Sequence, residues 1–292
     1  MKNWSFLRVM VFLRWLKLPF YFLILLVAFL AGVIGLDAYG NIIIKNALFL
    51  AAAITALYFI ASLTFSYHDI KKKQGPAVCM LTKREIILSN IMFLLILCFA
   101  GYGMFRQYGV PVAVLIFVLA IICYSFAGPP LSLKYHGMGE ITAFLVSGPV
   151  LMCSTYFILT GTFDMSVLYL SFPVGFFFSA LVLGVDLRDF HQKTSIPAKG
   201  PILYCMLLLA AYVFVMVLVP KGFLSEFSLL VLLTMPAALK NMLMVIEHEK
   251  GGTDKIVSSS AVNFAVFLIL FITSIFIKIY SMDLQSIVEN NF

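Results

Sequence analysis

The chain has 292 residues, of which 63% are hydrophobic and 11% charged, and its mean hydropathy is +1.06. No water-soluble domain with a single core carries this much apolar sequence, so the composition predicts a polytopic membrane protein. The formal net charge of +7 would suit nucleic acid only if the cations shared one soluble face. They lie between apolar segments instead, so we expect no nucleic-acid partner.

The apolar segments must each supply about 20 residues to cross about 30 Å of hydrocarbon. The opening stretch MKNWSFLRVMVFLRWLKLPF mixes cations with apolar residues and lacks a small-residue cleavage site, so we expect the first segment to remain as a helix. We predict an all-α bundle of about nine transmembrane helices: residues 18–36, 42–66, 86–105, 110–127, 140–161, 166–185, 201–220, 227–246 and 258–280.

The cationic residues alternate from loop to loop. All but four of the 20 lysines and arginines fall in one set of alternate loops, the exceptions being Lys45, Arg106, Lys221 and Lys278. By the positive-inside rule, the N-terminus is predicted to be cytoplasmic and the C-terminus outside. A transporter should show polar residues at mid-membrane depth along a path to both sides. We find almost none here, because the helices end at the charged residues. A structural bundle with ordinary cytoplasmic loops would also give this basic excess.

The cysteines are scattered and form no CxxC or CxxxC pair. We therefore predict reduced core residues and neither a disulfide nor a zinc site. They are Cys79, Cys98, Cys123, Cys153 and Cys205.

The sixth apolar segment ends in VDLRDFHQK, residues 185–193, which contains Asp186, Arg188 and Asp189. A carboxylate near membrane depth costs roughly 2.5–3.5 kcal/mol on insertion scales. Two carboxylates that close a hydrophobic helix therefore indicate a charged ligand, a metal or a pathway. Arg188 between them either contacts that ligand or forms a structural ion pair, and both interpretations stay open.

A similar pattern ends the second segment, four segments earlier, where Asp69 is followed by three lysines and Gly-Pro. This is what a weak repeat would leave, with two four-helix halves and a final helix in a single domain, residues 1–292. The two acidic helix ends could converge and bind a metal that is chelated by a doubly charged ligand. The loop at 123–140 adds Lys134 and Tyr135, either as phosphate ligands or as parts of a helical hairpin connection.

These residues resemble the UbiA superfamily of intramembrane aromatic prenyltransferases, and within it the 1,4-dihydroxy-2-naphthoate polyprenyltransferases of menaquinone synthesis. The second aspartate motif of the family reads approximately NDxRDxxxD, and VDLRDFHQK matches it at Asp186, Arg188 and Asp189. The stretches YSFAGPPLSLKYHGMGE and FLVSGPVLMCSTYFILTG are similar to further family patterns. The resemblance runs from about residue 14 to the last helix and implies a UbiA-like bundle with cytoplasmic polar loops.

The resemblance also implies a function. An isoprenyl diphosphate would place its tail in an apolar chamber, and Mg²⁺ would be held by Asp69, Asp186 and Asp189. Ionisation would give an allylic cation that an aromatic acceptor attacks, as in quinone biosynthesis. The implied phosphate ligands are Lys72, Lys73, Lys134, Arg188 and Lys193, and the implied hydrogen-bond donors are Tyr124 and Tyr135.

The sequence departs from the family motifs at four positions. Asn is replaced by Phe65 and Val185, and Asp by Lys73 and Lys193. Each Asp-to-Lys exchange moves the local charge by about two units, so we expect weaker binding of a second Mg²⁺. Three functions stay open: prenyl transfer to an aromatic acceptor, a terpene cyclisation, or non-catalytic binding of a prenyl lipid.

Overall fold

The computed structural model describes residues 18–39, 44–71, 83–127, 133, 138–191, 199–247 and 253–291. These ranges are mostly helical and contain no strand, which confirms the all-α prediction. The α-helices are α1 Leu18–Tyr39, α2 Ile44–Lys71, α3 Lys83–Tyr108, α4 Val110–Ala127, α5 Gly139–Leu145, α6 Leu151–Thr160, α7 Met165–His191, α8 Lys199–Leu218, α9 Met235–Ile246 and α10 Thr253–Asn291. A π-helical segment, Val146–Val150, joins α5 to α6, and a 3₁₀-helix, Glu226–Thr234, precedes α9.

Six of the described helical segments are long and apolar enough to cross a membrane: Phe20–Ala38, Gly139–Thr160, Met165–Leu187, Gly200–Leu218, Glu226–Ile246 and Lys255–Ser281. Shorter apolar helices occupy Ala47–Ser62, Asn90–Arg106 and Val110–Ile122. The chain is therefore an integral membrane protein. The number of nine spans and the orientation of the termini stay predictions.

The chain divides into two compact units. The first unit comprises Met1–Leu25 and Ile43–Thr142, and the second comprises Leu26–Ile42 and Ala143–Phe292. The predicted single domain with two four-helix halves stays a prediction, and each unit is described by itself.

In the first unit, α2, α3 and α4 pack against one another. A Cβ on Gly103 of α3 would lie 2.7 Å from the ring of Phe49 on α2, so a larger residue here would force that ring to move. Gly109 closes α3 with φ +76°, and its N–H donates to the carbonyl of Phe105 at 2.8 Å. Glycine favours this left-handed turn, and Val110 begins α4 in the very next position.

The start of α1 is attached to α2 by one hydrogen bond and by aromatic contacts. The hydroxyl groups of Tyr21 and Thr55 are 2.9 Å apart. The ring of Tyr21 also stacks on Phe59 with centroids 5.3 Å apart, and Phe59 lies 4.8 Å from Phe93 of α3. Aromatic side chains thus connect three helices of this unit.

In the second unit, α7 is the central helix and contacts α6, the π-helical segment, α8 and α10. Phe177 of α7 stacks on Phe264 of α10 and lies the same distance, 5.0 Å between centroids, from Phe267. Phe177, Phe264 and Phe267 are at most 1% exposed. These aromatics fill the core of the unit, so they do not line a chamber within it.

The π-helical segment crosses α7 at two glycines. A Cβ on Gly148 would lie 2.7 Å from the carbonyl oxygen of Ser171 and 2.9 Å from the Cα of Gly175. Pro149, which lacks an N–H, lies inside the π-helical segment. Pro149 thus lies in a wide helical turn, and Gly148 allows the backbone of that turn to contact the backbone of α7.

A row of hydroxyl and amide side chains, the polar seam, is buried where α8, α9 with its preceding 3₁₀-helix, and α10 meet. The hydroxyl groups of Tyr204 and Ser260 are 2.6 Å apart, and that of Ser259 donates to Asn241 at 2.6 Å. Asn241 and Asn263 are 1% and 4% exposed. The sequence-based expectation of almost no polar residues at depth missed this seam, whose hydroxyl and amide groups hydrogen-bond to one another.

Cys98, Cys153 and Cys205 are free thiols. Cys153 and Cys205 are partly buried, whereas Cys98 is exposed on the apolar surface of α3, so its assignment to the core was wrong. Exposure is compatible with a weakly polar thiol in contact with lipid. Cys79 and the side chain of Cys123 lie outside the described residues.

Candidate functional site

Asp186 lies near the C-terminal end of α7. Its neighbours Val185 and Leu187 are 7% and 8% exposed and pack into the second unit, whereas Asp186 is partly exposed. The two apolar neighbours are therefore part of the core, and the carboxylate of Asp186 lies at the edge of that core. The burial of Val185 explains why an apolar side chain is accommodated at this position, where the motif that the sequence resembles has asparagine.

The ends of the second unit differ in their polar groups. At one end, Asp37 of α1 pairs with Lys278 of α10. Thr160 lies close to Gly35 at this same end, and α7 begins there. Asp186 is about 30 Å along α7 from Met165, at 1.5 Å per residue. It therefore lies at the opposite end, where α8 and α10 begin and α9 ends.

The start of α8 packs closely against the end of α7, at the residues next to Asp186. A Cβ on Gly200 would lie 2.7 Å from Cδ2 of Leu187, and a Cβ on Gly184 would lie 3.5 Å from the ring of Tyr204. Gly200 was not among the site residues predicted from the sequence. The Gly-Pro pair that opens α8 was the available signal, because glycine admits a close approach of neighbouring helices.

Arg188 and Asp189 lie in the last turns of α7, and their side chains lie outside the described residues. Positions 186 and 189 are three apart on one continuous helix and therefore share a face. Asp69 lies near the end of α2 in the first unit, and Tyr124 near the end of α4, again with side chains outside the described residues.

The remaining predicted ligands lie wholly outside the described ranges: Lys72, Lys73, Lys134, Tyr135 and Lys193. Within those ranges, no group of three histidine, cysteine, aspartate or glutamate side chains could hold a metal. Asp186 is thus the single predicted site residue whose side-chain environment is described. The convergence of Asp69 with Asp186 and Asp189 stays a prediction.

Known proteins resemble the chain in sequence and in fold. No protein-family model matches it. A 1,4-dihydroxy-2-naphthoate octaprenyltransferase from Bacillus subtilis (strain 168) is 25% identical over 224 residues, which are 69% of this chain and 72% of the relative. A UbiA prenyltransferase domain-containing protein 1 from Dictyostelium discoideum is 27% identical over 184 residues, which are 59% of this chain and 50% of that protein.

The fold agrees with this relationship. A solved structure of digeranylgeranylglyceryl phosphate synthase matches with a TM-score of 0.61, covering 89% of this chain and 97% of that chain at 12% identity. The predicted relationship to the UbiA-type prenyltransferases is confirmed. At this identity the structural likeness shows the fold alone.

Proposed function

We propose that this UbiA-type protein transfers a prenyl group from an isoprenyl diphosphate to an aromatic acceptor. The observation that carries the proposal is the relationship to a 1,4-dihydroxy-2-naphthoate octaprenyltransferase over 224 residues. Dihydroxynaphthoate is therefore the first acceptor to test, and menaquinone synthesis the corresponding pathway. The VDLRD sequence at the end of a central, largely buried helix supports a charged site at the edge of an apolar interior.

The carboxylates of the proposed site suit a magnesium ion. Carboxylate oxygens are the ligands that Mg²⁺ prefers, and it is usually bound by one or two of them together with substrate phosphates. Asp186, Asp189 and Asp69 would hold the ion. When bound, it would neutralise charge on the leaving diphosphate. Lys73 and Lys193, at positions where the family has aspartate, favour fewer metal ions and more direct contacts from lysine to phosphate.

The side chains of the chain itself have three tasks in this reaction. Lys72, Lys73, Lys134, Arg188 and Lys193 would bind phosphate oxygens, and Tyr124 and Tyr135 would donate hydrogen bonds to them. Fixed cations there stabilise the charge that develops as the bond between the prenyl carbon and oxygen breaks. The diphosphate leaves with the bonding electrons, an aromatic carbon forms the new bond to the allylic carbon, and the proton on that aromatic carbon is released.

The orientation in the membrane follows from the same proposal. We place the N-terminus and the site in the cytoplasm, where most lysines and arginines are predicted to lie, and the C-terminus outside. Soluble diphosphate head groups would then reach the site from the cytoplasm, while the prenyl tail stays in the lipid.

Pyrophosphate release tests the function. The purified protein in lipid is incubated with prenyl diphosphates of several lengths, with and without Mg²⁺ and with and without dihydroxynaphthoate. We expect release that requires both the metal and the acceptor, together with a prenylated product.

The other outcomes separate the alternatives. Release without an acceptor would indicate a cyclase or a hydrolase in place of the aromatic prenyltransferase. No release from protein shown to be folded, with any prenyl diphosphate, would favour a protein that binds a prenyl lipid without catalysis.

A further inference from the structure

The helix that contains Glu226–Ile246 changes its hydrogen-bonding pattern within the membrane. It begins as a 3₁₀-helix over Glu226–Thr234 and continues as α9 from Met235. A nine-residue 3₁₀-helix is unusual, because runs longer than about four residues have poor hydrogen-bond geometry. Pro236 lies in the first turn of α9 and supplies no N–H. The change from 3₁₀ to α hydrogen bonding therefore falls at the junction between Thr234 and Pro236.

Asn263 of α10 spans this junction. In the orientation that satisfies both of its polar atoms, Nδ2 donates to the carbonyl of Thr234 at 3.3 Å, and Oδ1 accepts from the N–H of Ala238 at 3.2 Å. One carboxamide thus contacts backbone groups on both sides of Pro236. The side chain of Asn263 is 4% exposed, so water does not compete freely for these groups.

A second contact holds the same junction from α8. The hydroxyl group of Thr234 donates to the carbonyl of Val231 at 2.8 Å. That hydroxyl is also 2.8 Å from the hydroxyl of Tyr212, and because its proton already points to Val231, Tyr212 is the donor. Tyr212 and Thr234 are 1% and 4% exposed. The junction is thus connected to α8 through one hydroxyl group and to α10 through one amide.

We propose that the Thr234–Pro236 junction is a hinge and that the carboxamide of Asn263 is the latch that holds it closed. While the latch is in place, the 3₁₀-helix and α9 keep one fixed direction against α10. When the amide contacts are lost, the Thr234 carbonyl and the Ala238 N–H keep only the bond of the first turn of α9 to each other. With two buried hydrogen bonds fewer at the junction, α9 can move relative to the 3₁₀-helix. This proposal does not depend on the transferase activity.

Hydrogen exchange of the full-length protein in detergent micelles tests the latch. In Asn263→Leu, we expect exchange at Ala238 and in peptides from 226–246 to rise at least tenfold, with little change in α7. In Asn263→Leu combined with Pro236→Ala, exchange should return to within about threefold of the Pro236→Ala variant, because an uninterrupted α-helix needs no latch.

Ser260→Ala is the matched control. It removes a buried polar partner from α10, one turn away from Asn263, but its partner is Tyr204 on α8 and not the junction. Its exchange at 226–246 should stay within about twofold of the unmodified protein. Equal increases in the leucine and control variants would overturn the proposal, and so would an unchanged rate in Asn263→Leu.

A second measurement applies if the Asn263→Leu variant does not fold. If Asn263→Leu gives no folded protein, the proposal requires that adding Pro236→Ala restore a monodisperse peak in size-exclusion chromatography. Failure of that rescue would show that Asn263 serves the general packing of the bundle and is not a latch at Pro236.

Discussion

The ammonium group of Lys278 lies 2.6 Å from Oδ2 of Asp37, which joins α10 to α1 within the second unit. The side chain of Asp37 is only 17% exposed, and its Oδ1 is buried without a hydrogen-bond partner. Lys278 is therefore the main compensation for a largely buried carboxylate. The contact also shows that the end of α1 and the late part of α10 lie at the same end of this unit.

Replacing Lys278 by Met should destabilise the protein by about 1–2 kcal/mol. The estimate lies between less than about 1 kcal/mol for exposed ion pairs and about 3–5 kcal/mol for buried ones, since Lys278 is 39% exposed. Thermal unfolding in detergent measures the change. Lys221→Met is the control, because Lys221 is an exposed loop residue at the same end of the unit. This substitution should change the stability little. Adding Asp37→Asn to Lys278→Met should recover most of the loss, and a further loss would contradict the ion-pair account.

Replacing Gly148 by Ala should destabilise the second unit by about 1–3 kcal/mol, towards the upper limit. The new Cβ would meet backbone atoms of Ser171 and Gly175, which cannot rotate away as a side chain can. Gly101→Ala is the matched control, because its nearest neighbour is Cδ1 of Ile116 at 4.0 Å. There, the helix propensity of alanine should leave the stability equal or raise it by up to about 1 kcal/mol.

The yield and the melting temperature of both glycine variants in the same detergent provide the comparison. If Gly148→Ala melts within 1 °C of Gly101→Ala, on the order of experimental error, then α7 and the π-helical segment are farther apart than the structure has them.

Replacing Asp186 by Asn should reduce prenyl transfer by about 100-fold or more, because an uncharged amide holds Mg²⁺ poorly while its size is unchanged. Initial rates of pyrophosphate release at several Mg²⁺ concentrations give the result. Asp164→Asn is the control: Asp164 accepts from the N–H of Ser166 at 2.8 Å at the start of α7, far from Asp186. A rate for Asp186→Asn equal to that of the control would remove Asp186 from the proposed site.

Replacing Lys193 by Asp should make the activity depend more steeply on Mg²⁺ and lower the concentration that gives half the maximal rate. The change restores the acid of the family motif and shifts the local charge by about two units. Lys199→Asp makes the same charge change at the start of α8, where the motif has no acid, and should not lower that concentration. Identical Mg²⁺ titrations for the two variants would contradict the idea that Lys193 takes the place of a metal.

The apolar pattern predicted where the helices are. It did not predict the internal breaks, which are the places where a helix changes to π or 3₁₀ hydrogen bonding. The segment predicted at 110–127 is α4, Val110–Ala127, because Gly109 and the apolar run both mark its limits. The segments predicted to end at 66 and 185 continue as helix to Lys71 and His191. Charged residues such as Lys71 and Arg188 form helix well, so a rule based on hydropathy stops too early.

The internal breaks depend on contacts between distant parts of the chain. Pro236 gave a local signal for an irregular helix, but the partner Asn263 lies on another helix and could be found only in the fold. The same is true of Gly148, whose contact with Gly175 depends on the crossing of two helices. At the candidate site, the sequence predicted Asp186 through its motif, and its role stays a prediction. It could not assign Gly200, because the role of that residue follows from its distance to Leu187.

The length of α10 has a practical consequence. Its apolar part is Lys255–Ser281, yet the helix continues to Asn291. Ten further residues at 1.5 Å each add about 15 Å, which carries the end of the helix clear of the hydrocarbon and into the aqueous phase. A fluorescent or enzymatic reporter fused after Asn291 would sit on a rigid stalk, and its activity on one side of the membrane would give the topology directly.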